Sequence, residues 1–64
     1  MYAYIQGTVA EVGENTVVLD VGGVGYELNA TATAVSSCAV GAVRRLPTYL
    51  VVKEDEMSLY GFAD

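Results

Sequence analysis

The chain has 64 residues, 53% of them hydrophobic, and eight carboxylates against Arg44, Arg45 and Lys53, for a net charge of −5. That length allows one domain, which buries only roughly 60% of its unfolded surface. The acidic balance excludes a domain that grips a nucleic-acid backbone by charge alone, because phosphate contacts come chiefly from Lys and Arg. Cys38 is the only cysteine, so no intrachain disulfide forms, and the chain has no histidine. No metal or other cofactor is expected from that inventory. No signal peptide opens the chain, and no apolar run approaches the about 18 residues of a membrane span. A reducing cytoplasm is the expected compartment.

Alternation with period two dominates the chain. The first predicted strand runs from Tyr2 to Val12. Ala3, Ile5, Gly7 and Val9 share one face; Tyr2, Tyr4, Gln6 and Thr8 share the other. Gly7 inside a strand predicts a sharp bend or bulge. Glu11 to Asn15 reads as a turn. The second strand is Thr16 to Val21, with Val17, Leu19 and Val21 on one face. Gly22-Gly23 then predicts a two-residue hairpin turn, since both positions tolerate positive φ. The third strand, Val24 to Ala30, turns Val24, Tyr26 and Leu28 to one side.

Thr31 to Val40 is rich in small residues and reads as a short helical turn or a loop. Thr31 or Thr33 is placed to cap it, and Gly41 to end it. The fourth strand spans about Val43 to Lys53. Pro47 within it lacks a ladder donor, so the strand is an edge, is bulged, or begins later. The fifth strand is Met57 to Phe62. Between the last two lies a tip with three consecutive carboxylates, Glu54-Asp55-Glu56. Like charges so closely packed repel, which predicts a tip that faces water or a partner.

Five short strands, with a non-strand connector between the third and fourth, predict an all-β, five-stranded OB-fold barrel; an SH3-like barrel is the competing architecture. With so many apolar residues in so small a domain, some are expected to stay exposed or to be covered by a further domain or a second subunit.

The remaining motifs have ordinary explanations. Gly22-Gly23-Val24-Gly25 is followed by neither Lys-Ser/Thr nor a helix, so tight-turn chemistry accounts for it better than phosphate binding. The five tyrosines raise base stacking on a barrel face. No basic groove is evident beside Tyr2 and Tyr4, which favours packing. Asp20 and Glu27 lack the nucleophile or base that would make them a catalytic pair. Arg44-Arg45 reads as solvated rather than as a phosphate contact, and Cys38 as a small connector residue.

Val21-Gly22-Gly23-Val24-Gly25-Tyr26-Glu27 and the stretch from Thr48 through Lys53-Glu54-Asp55 to Leu59-Tyr60-Gly61-Phe62 resemble the N-terminal domain of the RuvA family of Holliday-junction-binding proteins. The opening Met1-Tyr2-Ala3-Tyr4-Ile5-Gln6-Gly7 is similar to that family's first strand. The resemblance covers residues 1–64. It implies that helix-hairpin-helix and C-terminal domains are absent from this chain. It implies a non-catalytic role in recombination and repair, on four-way junction DNA, within a homotetramer. A RuvB-like motor ATPase would be contacted through the absent C-terminal domain. It implies that Glu54 and Asp55 form an acidic pin at the junction centre, with Lys53 beside them as a candidate phosphate contact.

The chain departs from the family pattern at Lys53, where Arg is frequent; charge is kept but bidentate geometry is lost. Tyr49 stands where His is common, and Tyr4 and Gln6 stand where Arg or Lys is often found. Two other classes remain open: a generic OB-fold binder of single-stranded nucleic acid, and a protein-interaction barrel with no DNA role.

Overall fold

The computed structural model describes residues 2–63. Five strands and one short helix follow one another as β1 (Tyr4–Val12), β2 (Thr16–Val21), β3 (Val24–Ala30), α1 (Ala32–Ser36), β4 (Val43–Lys53) and β5 (Glu56–Gly61). They close into a barrel in the order β1-β2-β3-β5-β4. Every pairing is antiparallel except β3 with β5, which meet in parallel through Asn29↔Tyr60 and Ala30↔Gly61. This is the OB-fold order expected from the sequence, with the helix between the third and fourth strands.

The core follows from the alternation. Ile5 and Val9 from β1, Val17 and Leu19 from β2, Leu28 from β3 and Leu46 from β4 form one buried cluster. Val35 of α1, Cys38 and Leu59 of β5 pack partly buried against it. Leu19, Leu28 and Leu46 are wholly shielded from solvent. Each such side chain contributes roughly 1.5–3 kcal/mol through burial.

Two long strands each serve two neighbours. β1 pairs with β4 through Tyr4–Thr8, then with β2 from Thr8 to Val12. Its bulge lies between Val9 and Glu11, not at Gly7 as the sequence suggests. Gly7 has a different reason: a Cβ there would sit 2.5 Å from the Asp20 carbonyl oxygen. Only glycine lets β1 pass so close to β2 where it changes neighbours.

β4 pairs with β1 through Val43–Pro47 and with β5 from Thr48 onward. Pro47 therefore falls at the change of partner, inside a continuous strand. Its missing N–H costs little there, and its carbonyl accepts from Phe62 N at 3.0 Å. The strand is neither an edge nor delayed.

The helix is short. Thr31 caps it, its Oγ1 accepting from Ala34 N at 3.1 Å. It ends at Ser36, before Gly41; the C-cap is Ser37, with ordinary φ. Gly41, at φ 93°, instead shapes the return to β4, donating to Val9 O at 2.9 Å. Arg44 Nη1 donates to the Ser37 carbonyl, so this arginine ties the helix end to β4 rather than standing solvated. Among the described residues, no helix is long and apolar enough to cross a membrane.

Candidate nucleic-acid interface

The β4–β5 hairpin outruns the barrel. On one side β1 pairs with β4 no further than Tyr4↔Pro47. On the other, β3 reaches β5 only at Asn29↔Tyr60 and Ala30↔Gly61. The rungs Leu50↔Leu59, Val51↔Ser58, Val52↔Met57 and Lys53↔Glu56 therefore pair only with each other. At about 3.4 Å per residue the overhang is roughly 14 Å long. Its base leans on the barrel, where Tyr2, Tyr26, Glu27, Leu50, Met57 and Leu59 line a cavity of about 210 Å³. Its outer half is solvated: Val52 is 66% exposed and Met57 74%.

Glu54 and Asp55 alone make the turn. Both are exposed, and neither has positive φ. Two-residue hairpin loops ordinarily use type I′ or II′ turns, which require positive φ and so Gly, Asn or Asp. This turn uses neither, and Glu is not a favoured turn residue. Backbone geometry thus does not account for a carboxylate at position 54. Among the described residues, neither carboxylate has a hydrogen-bond or ion-pair partner.

The third acid of the run is different. Glu56 begins β5, one residue earlier than the alternation suggests, and stands opposite Lys53. Its Oε2 lies 3.7 Å from Lys53 Nζ, and its Oε1 accepts from Ser58 Oγ at 2.9 Å. The tip expected to carry three carboxylates carries two, with a Lys53–Glu56 ion pair beneath it. Among the described residues, no group of three or more Asp, Glu, Cys or His comes together as metal ligands.

The tyrosines divide differently from the expectation. β1 begins at Tyr4, so the alternation does not extend to Tyr2. Tyr2 lines the cavity under the hairpin, whereas Tyr4 lines another with Arg45 and Pro47. The Arg45 guanidinium lies over the Tyr4 ring, 4.9 Å from its centre. Across β4 and β5, Tyr49 faces Tyr60 directly. Sequence reasoning missed that pair because it depends on inter-strand register; only the offset of the two residues from a shared tip signals it.

A closed five-stranded barrel in this order, with a helix between the third and fourth strands, is an OB-fold domain, and its overhanging hairpin ends in an acidic turn. The chain belongs to the RuvA N-terminal domain family, whose description matches residues 1–61. The protein of Nocardia farcinica called Holliday junction branch migration complex subunit RuvA is 47% identical over 64 residues. The subunits of that name in Streptomyces coelicolor and Alkaliphilus oremlandii are 44% and 42% identical, over 64 and 62 residues. The matches take in all of this chain, or 97% of it for Alkaliphilus, and 32% of each relative. The chain thus spans about a third of the length of the curated relatives it matches.

Proposed function

We propose that this chain is the N-terminal barrel of a Holliday-junction DNA-binding protein that supports branch migration in recombination and repair. Its part is non-catalytic: it helps scaffold a homotetramer and presents Glu54 and Asp55 as an acidic pin at the open centre of the four-way junction. A RuvB-like motor would be engaged by a region outside these residues. The observation that carries the reading is the overhanging hairpin whose two turn residues are unpartnered acids, Glu54 being one that turn chemistry does not favour.

The physics is repulsive. A carboxylate brought to about 4 Å from a phosphate costs about 1 kcal/mol even in bulk water. Two such groups penalise continuous duplex, where phosphates run past the tip, by up to about 2 kcal/mol, or roughly 30-fold. An open junction centre leaves room for them and escapes most of that cost. The pin therefore selects shape by excluding alternatives and supplies no affinity. Affinity must come from cations elsewhere, since this chain is −5. Lys53 beside the turn remains a candidate phosphate contact, since its exposed pair with Glu56 is weak, but a single cation does not offset that balance.

The test uses the full-length Nocardia farcinica relative with this chain in place of its N-terminal domain, with and without Glu54→Gln and Asp55→Asn. Binding to four-way junction and to linear duplex is compared by gel shift. The neutralised protein should bind duplex more tightly and lose junction preference. An unchanged preference ratio removes the pin assignment.

A further inference from the structure

The outward face of β4 carries Arg45, Pro47, Tyr49, Val51 and Lys53 at alternate positions, Val51 half-buried. The register sets Tyr4 beside Pro47 and Tyr60 beside Tyr49. Three of the five tyrosines thus lie on one surface with two of the three cations. Tyr4 and Tyr49 are each 54% exposed, and Tyr60 38%. Glu56 offsets Lys53, which leaves Arg45 as a net positive charge on this face of a strongly acidic chain. The stripe runs from Tyr4 towards the acidic turn.

We infer that this stripe is a stacking platform for the unpaired bases of single-stranded DNA, with Tyr49 and Tyr60 as its principal contacts. Exposed aromatic rings beside a cation are the chemistry that holds single strands, because every base has a π-face and stacking tolerates any sequence. Tyr49 and Tyr60 are direct cross-strand partners, with Cβ atoms about 4.5–5.5 Å apart, so their two rings form one surface on which a base can lie. Duplex bases have already buried their faces against one another, so duplex gains nothing from the stripe. Arg45 serves twice, flattening the Tyr4 ring beneath it and drawing in a phosphate. The position suits strands separated at the acidic turn, and in that setting the inference rests on the reading above; the stacking itself does not.

The chain has no tryptophan, so its emission reports on its five tyrosines directly. An oligo-dT strand titrated into the chain at about 0.1 M salt, where repulsion from the −5 chain is screened, should quench that emission saturably. Tyr49→Leu with Tyr60→Leu should weaken binding about tenfold or more, and Tyr49→Phe with Tyr60→Phe should hold it within about twofold. Both residues are solvent-facing, and far-UV circular dichroism checks that each variant keeps its sheet. Absence of quenching, or equal binding by the leucine and phenylalanine variants, overturns the platform. So does a leucine variant that changes only self-association in sedimentation, which would make the face a protein interface. If dT binding survives Glu54→Gln with Asp55→Asn while junction preference does not change, the pin fails and the platform stands.

Discussion

Two of the barrel's hairpins close through two-residue turns, and their tips obey opposite rules. β2 and β3 are paired along their whole length, from Val21↔Val24 to Thr16↔Asn29, with β1 and β5 as outer neighbours. Their turn is Gly22-Gly23, with φ of 60° and 94°. Asp20 Oδ1 accepts from Gly23 N at 2.8 Å and steadies it. Here the backbone dictates the residues. At the other tip no positive φ selects the residues, and they are acids. The first hairpin is a wall of the barrel; the second is an arm held out from it. Composition at a turn carries functional information only where conformation leaves it free.

Several changes should break or sharpen that contrast. The largest effect is expected in the wall. Leu19→Ala empties a fully buried site and should cost about 2–5 kcal/mol in urea unfolding. Val52→Ala on the arm should cost less than about 0.5 kcal/mol, because the side chain is already in water. Equal losses would mean that the arm is packed against the barrel after all.

Next come the turns themselves. Gly22→Ala or Gly23→Ala puts a Cβ into the left-handed region and should destabilise by about 1–2 kcal/mol, although space around both is open. Asp55→Ala meets no such penalty and should stay within about 0.5 kcal/mol. Asp20→Ala, which loses the bond to Gly23 N, falls between at about 0.5–1.5 kcal/mol. The smallest effect belongs to Glu56→Gln. Its exposed pair with Lys53 contributes no more than about 0.5 kcal/mol, and thermal melts at low and high salt should scarcely separate the variant from the parent.

Much of this architecture is legible in the chain. The bounds of β2 and β3, the glycine turn and a threonine cap at 31 or 33 follow from local chemistry, which acts within a few residues. What the alternation could not supply are facts about non-adjacent strands. Pro47 is tolerated because β4 changes partner there, and Gly7 is needed because Asp20 comes close. Arg44 is occupied because α1 ends beside it, and Glu56 lies off the tip because it pairs with Lys53 as the first rung of β5. Each depends on register or closure, which a single sequence encodes only through the finished barrel. An acidic tip between two strands could be read because its signal is local, but that signal held three acids, and only the family resemblance singled out Glu54 and Asp55.

The salt dependence of shape selection tests the central claim most directly. Repulsion between exposed carboxylates and phosphates acts over a Debye length that shrinks from about 30 Å at 0.01 M salt to about 10 Å at 0.1 M. The ratio of junction to linear-duplex affinity should be measured across that range for the chimeric full-length protein, with Glu54 and Asp55 intact and with both neutralised. A repulsive pin predicts a ratio that falls as salt rises in the intact protein and is smaller and nearly flat in the neutralised one. Two parallel curves would show that Glu54 and Asp55 take no part in choosing the junction.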